Sequence, residues 1–509
     1  MAGAKRWVAV AVAAGVVLGT AVACGSGSGS GDDLAEGVRV DARYVGPVGT
    51  VHDVVARGDQ VDVLASRKTT SDVGLVLHSA DGGSTWAQAN THLPVKGDAV
   101  GQPRLFTVGD ALIATRTWEL KDAAGTLEKV GQSAAISRDG GASWSALDLP
   151  VPSGSGATII GAAAVGKLVV LAGHIAPLAA PPYGPALLDH DTGVWTSTDE
   201  GRTFQRVTSG SFAPTEKGDE QITRVMATTK RVVLVRTAST PWLRPDGSCC
   251  DAAPLPEVGE GGAGAVPGAP ARSSIESYAS SDGKAWTDLG ETWLAADPSL
   301  PDRVDGDRLE IGDYRAPVVL AAGSDTWEQD QVLPPLNRNG GRDIVDSLAE
   351  IVPASDGAQV GTWNEDSACD CSEARAARIV EGKERIRKIT YHGCHDTSGR
   401  GYVGIDEPHV TGDLIVAAGW CDDDGQYPAS LVTSTDHGRT WTTTRLTSQA
   451  PEHWSDLLVP LRYGPVASAA TVRDGVVLAT VARRPGRPNP ELGDPAPAPI
   501  VLLRITAAS

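Results

Sequence analysis

Along this chain of 509 residues, hydrophobic positions return with a regular beat. Six aliphatic runs mark it, each entered from a turn: Val61-Asp62-Val63-Leu64-Ala65, Ala111-Leu112-Ile113-Ala114, Leu168-Val169-Val170-Leu171, Arg231-Val232-Val233-Leu234-Val235, Leu414-Ile415-Val416-Ala417 and Val476-Val477-Leu478-Ala479. Runs this short, rich in β-branched residues and bounded by Gly and Asp, predict buried strands. Alternating runs such as Leu75-Val76-Leu77-His78 and Leu431-Val432-Thr433 lie between them, and each leads into a polar turn.

That turn is written five times. It reads Ser79-Ala80-Asp81-Gly82-Gly83-Ser84-Thr85-Trp86 and returns with Asp139 and Trp144, Asp199 and Phe204, Asp282 and Trp286 (one residue shorter), and Asp436 and Trp441. An Asp in such a turn can accept backbone N–H bonds. A Gly supplies a positive φ, and the closing aromatic opens the next strand with a large apolar surface. The pattern Ser-x-Asp-x-Gly-x-Thr-Trp resembles the Asp-box, or BNR repeat, of sialidase-like β-propellers. The resemblance implies an all-β propeller of four-stranded blades with Asp-box hairpin turns.

Spacing extends the count beyond the visible boxes. Asp81, Asp139 and Asp199 are 58 and 60 residues apart, and Asp436 falls close to six such steps after Asp81. Gly323-Ser324-Asp325-Thr326-Trp327 reads as a shrunken copy, and Glu381-Gly382-Lys383 occupies an equivalent turn. Eight modules follow, starting near residues 48, 100, 156, 220, 293, 343, 400 and 464; if the poorly marked fifth is an insertion, seven blades remain. The last module ends after its third strand, at Ile500–Ile505, so Val38–Tyr44 from the N-terminal side is expected to supply the fourth and close the ring. Residues 244–272 and 485–498, rich in Pro, Gly and Ala, read as loops inserted in the fourth and eighth modules.

Charge and termini then narrow the setting. A formal net charge of −19 argues against binding nucleic acid or an anionic membrane surface through bulk electrostatics. Residues 1–23 read as an export signal: Lys5 and Arg6, an apolar stretch from Val8 to Leu18, and Ala21-Val22-Ala23 as a cleavage site. Cys24 follows at once, and a Gly/Ser tether runs from 24 to 34 before the propeller, expected over 35–509. This arrangement resembles a bacterial lipobox, which implies a protein held on the outer face of the cytoplasmic membrane through a lipid on Cys24 alone; plain secretion is the alternative. Six further cysteines (Cys249, Cys250, Cys369, Cys371, Cys394 and Cys421) make an even number in an exported chain, which favours disulfides, in any of fifteen pairings, over zinc. Neither a metal nor another cofactor is expected.

Candidate chemistry lies away from the boxes. Sialidases carry an aromatic-Arg-Ile-Pro motif ahead of the first box, and nothing between Leu34 and Asp81 matches it; Tyr314-Arg315-Ala316-Pro317 comes only after four boxes. If each box joins strands three and four of a blade, the loops between strands two and three emerge on the opposite face. Those loops are expected to hold Trp118 and Glu119, Trp242, Trp363 and Glu365, and Trp420 with Asp422 and Tyr427. Tryptophans beside carboxylates suit stacking on sugar rings or gripping a peptide. The expected function is therefore non-catalytic binding of a cell-wall or extracellular glycan, or of an exported protein. A glycoside hydrolase using Glu119, Glu365 and Asp422, and a scaffold for exported proteins, are the alternatives.

Overall fold

The computed structural model describes residues 37–66, 73–91, 93, 98–122, 125, 127–178, 191–208, 221–239, 273–294, 303–311, 318–329, 348–367, 371–380, 383–389, 403–421, 429–445, 468–481 and 498–508. Every regular element among them is a β-strand. The strands form eight four-stranded antiparallel blades in a ring.

Seven of the eight innermost strands begin within five residues of the expected module starts. The fifth does not. Residues 287–294 are the outermost strand of blade 4, so blade 5 opens only at Arg303. It is a blade rather than an insertion, built from Arg303–Asp305, Arg308–Ile311, Val318–Leu320 and Trp327–Gln329. Strands of three or four residues suffice because Leu309, Ile311, Val318 and Leu320 are fully buried against Val233, Val235 and Ile275 of blade 4. Each such side chain contributes about 1.5–3 kcal/mol on burial.

Ring closure follows the expectation and goes further. The first strand runs from Val38 to Arg57. Its first half pairs with Ala498–Ala507 as the outer strand of blade 8, from Val38 opposite Ala507 to Gly49 opposite Ala498. Its second half, from Thr50, pairs with Gln60–Ser66 as the inner strand of blade 1. One strand thus serves two blades and ties the first blade to the last.

The six aliphatic runs are all second strands, buried on both faces because a blade is sandwiched between two others. Alternate side chains serve alternate neighbours. Val61, Val63 and Ala65 pack towards blade 8, whereas Leu64 packs on Leu105, Leu112 and Ala114 of blade 2. Six innermost strands slip register part-way along, at Val51/Asp53, Val100/Arg104, Gly161/Ile159, Ile222/Arg224, Leu348/Ile351 and Ile405/Pro408. Bulges at this level add local twist where the strands converge on the axis.

Candidate functional site

The five repeated turns all join strands three and four, and each is held together by its own polar side chains. In the first, the Ser79 hydroxyl donates to Asp81 Oδ1 (2.8 Å) and accepts from the Gly83 N–H (2.8 Å). Asp81 Oδ1 also accepts from the Thr85 N–H (2.8 Å), and its Oδ2 from the Thr85 hydroxyl (2.7 Å). Asp139, Asp199 and Asp436 repeat this set, and Asp282 keeps it without the final hydroxyl. These bonds favour the carboxylate. Hydrogen bonds from Ser197 and Thr203 hold Asp199 well below the usual range. At Asp81 burial opposes the shift, and bonds from Thr85 and Ser79 together outweigh it. Every turn carboxylate is committed to its own loop.

The turns also fasten blade to blade. A Cβ on Gly83 would lie 2.7 Å from Val477 of blade 8, one on Gly141 2.6 Å from Asp62 of blade 1, and one on Gly283 2.7 Å from Leu168 of blade 3. Arginines of the preceding blade reach across the same junctions. Arg138 donates to Gly201 O, Arg231 to Ser324 O, Arg378 Nε to His437 O (2.9 Å) and Arg504 to Ser84 Oγ (2.9 Å). The shrunken turn in blade 5 is also joined to blade 4: Asp325 pairs with Arg231 (2.6 Å), and Trp327 Nε1 donates to Ser277 Oγ (2.9 Å). None of these arginines was legible as a staple, because each acts on a turn some 60 to 420 residues away.

On the opposite face the second strands continue further than the sequence suggested. Trp118 and Glu119 were expected in a loop, but they lie inside the strand Ala111–Lys121. Trp363 and Glu365 lie inside Gln359–Ser367, and Trp420 inside Leu414–Cys421. The reason is continued pairing: Trp118 stands opposite Ala99 and Gly131, Trp363 opposite Leu348 and Arg375, and Trp420 opposite Gly404 and Ala429. Trp118 is only 4% exposed, its indole lying over Gly131, where a Cβ would come within 2.5 Å of the ring. Glu119, on the other side of that strand, pairs with Lys121 (3.4 Å). Cys371 opens the third strand of blade 6 and Cys421 closes the second strand of blade 7, both at this face. Trp242, Asp422, Tyr427, Cys24, Cys249, Cys250, Cys369 and Cys394 lie outside the described residues.

A further polar cluster lies on blade 4. Arg236 of blade 4, 5% exposed, forms an ion pair with Glu276 on the neighbouring strand. Tyr278 donates its hydroxyl to the same Glu276 oxygen (2.8 Å), and the Arg236 guanidinium stands 5.6 Å from the Tyr278 ring centre. Burial, reinforced by Glu276, pushes the Tyr278 phenol up. Burial also opposes ionisation of Glu276, but the bonds from Arg236 and Tyr278 outweigh it and draw that carboxyl down. At neutral pH the carboxylate is ionised and the phenol protonated. This set therefore holds a charge pair, with the Tyr278 hydroxyl hydrogen-bonded to its carboxylate. Arg116 of blade 2 ends its aliphatic run in the same way and is 1% exposed. An Arg closing an apolar second strand was the available signal.

No family model matches the chain, and no curated protein does. Solved structures similar to it include YCF48 from Cyanidioschyzon merolae, 11% identical over 91% of this chain and 98% of that one, with a TM-score of 0.35. The β-propeller domain of the Trilobed protease from Pyrococcus furiosus is 10% identical over 78% and 97%, also with a TM-score of 0.35. A polysaccharide lyase described as a PL25 ulvan lyase is 12% identical over 92% and 97%, with a TM-score of 0.37. At this level of likeness they carry no inference about chemistry.

Proposed function

We propose that this chain is an exported propeller of the Asp-box type, anchored through a lipid on Cys24, whose face opposite the boxes binds an extracellular glycan or an exported protein without catalysis. The observation that supports it is the division of labour between the faces. The box carboxylates are all consumed within their turns and the box glycines against neighbouring blades, so that face has little left for a ligand. The other face carries the longer connections, together with the strand-borne Trp363, Glu365 and Trp420.

Binding of the full chain to an array of cell-wall glycans tests the reading. A bound glycan is expected to be lost on Trp363→Ala or Trp420→Ala, and retention of every ligand by both variants would sink it. A pull-down from the membrane fraction covers the protein-ligand arm. For the anchor, Cys24→Ser is expected to move the protein from the membrane fraction to the medium. Turnover of a fluorogenic glycoside, abolished by Glu365→Gln, would instead establish the hydrolase.

A further inference from the structure

The outermost strand of a blade presents a row of unpaired backbone groups to solvent, and in two of the other blades, at Gln205–Arg206 and Thr442–Arg445, that strand carries a single Arg. Ala87–Asn90, Ser145–Ala146, Thr287–Leu294 and Trp327–Gln329 hold no Lys or Arg between them. Blade 6 differs. Its outer strand reads Lys383-Glu384-Arg385-Ile386-Arg387-Lys388, four cations in six residues of a chain whose net charge is −19. Among the described residues the strand pairs only with Cys371–Val380, which leaves its other edge open.

Cations on an edge strand can merely discourage unwanted pairing. Two features here point further. Ile386 is 37% exposed and Val380, at the end of the partner strand, 38%, and these are two of the four exposed large hydrophobics among the described residues. An edge built only to repel would not present them. Arg385 and Arg387 are exposed and make no hydrogen bond or ion pair with any described residue, although carboxylates abound in the chain. They stand two residues apart, so they share one face of the strand about 6.8 Å apart, with Ile386 on the other face.

We infer that this edge receives an extended acidic segment of another protein, which adds as a fifth strand to blade 6. Main-chain hydrogen bonds would supply affinity. Carboxylates at alternate positions would meet Arg385 and Arg387, and the apolar residue between them would cover Ile386. The recognised pattern is acid–apolar–acid in β-conformation. The site lies on the outermost strand of blade 6 and does not depend on a ligand of the face opposite the boxes.

Fluorescence anisotropy with the full chain in detergent tests this, using a labelled peptide of alternating Glu and Val. Saturable binding is expected, with none for the Lys/Val counterpart. Arg385→Glu combined with Arg387→Glu should weaken it about tenfold or more. Two further peptides, N-methylated on one hydrogen-bonding edge or on the other, should part company: one binds like the parent and one does not bind. Equal binding of both methylated peptides would mean simple ionic adhesion, of the kind any anionic polymer shows, and would overturn strand addition. Failure of the Glu/Val peptide to bind, or full retention by the double variant, would overturn the site. Should the double variant not fold, Arg387→Gln and the methylated pair on the unaltered chain still decide.

Discussion

On the face that carries the repeated turns, the chain reverses through connections of two to seven residues within each blade, and the repeated turns are tied to the blade before them. On the opposite face the second strand of blade 4 stops at Ser239 and the third starts at Ser273; in blade 8 the corresponding limits are Val481 and Ala498. The contrast teaches where variation is tolerated. A turn wedged against a neighbouring blade has its length and its Gly dictated by that neighbour, whereas a connection outside such a junction need only bridge its two strand ends. Long insertions cost little in closure entropy under those conditions, and binding residues commonly sit on such loops held by a rigid scaffold.

Several substitutions probe that contrast. The largest effect is expected at Gly83, with φ +88 and Val477 only 2.7 Å from where a Cβ would stand. Gly83→Ala should cost about 3 kcal/mol in denaturant unfolding, from overpacking and left-handed strain together. A loss under about 0.5 kcal/mol would mean that the turn is not wedged between blades. Next comes Asp436→Ala, which removes acceptors for the Ser434 and Thr440 hydroxyls and the Thr440 N–H. Since the turn is largely solvated, about 1–2 kcal/mol is expected. Asp325→Ala in the shrunken turn removes only an exposed pair with Arg231 and should stay within about 0.5 kcal/mol.

Acid should erase the Asp436 difference. Burial alone would raise its folded pKa, but bonds from Thr440 and Ser434 outweigh burial and depress it, so its contribution is present above the unfolded value near ~3.9. That contribution disappears as pH falls through the folded value. The stability gap between the unaltered protein and Asp436→Asn should therefore close below about pH 4; a gap constant down to about pH 2 would contradict the hydrogen-bond account.

The smallest effect is at Glu200, which sits at φ 62 where two other copies have Gly82 and Gly140 at φ 68. Glu200→Gly should change stability by no more than about 0.5 kcal/mol, because relief of left-handed strain offsets the added chain entropy. Set beside Gly83→Ala, it separates backbone conformation from contact across the blade junction.

Much of this could be read from the residues before any coordinates. Short aliphatic runs and a turn repeated about every 59 residues determined the strand content and the closing role of Val38–Tyr44 and narrowed the blades to eight or seven, because these rest on local chemistry and on periodicity. The paired extension of strands through Trp118, Trp363 and Trp420 was not legible, since it depends on partners such as Gly131 and Arg375 in another strand. The same holds for the Arg236–Glu276–Tyr278 set and for the arginines that cross blade junctions. Sequence by itself determined the blades, where each residue answers mainly to its neighbours along the chain. Only the tertiary structure decided what lies between blades and which edge is left bare, because a ring brings residues hundreds of positions apart within hydrogen-bonding distance, and nothing in the local pattern records that approach.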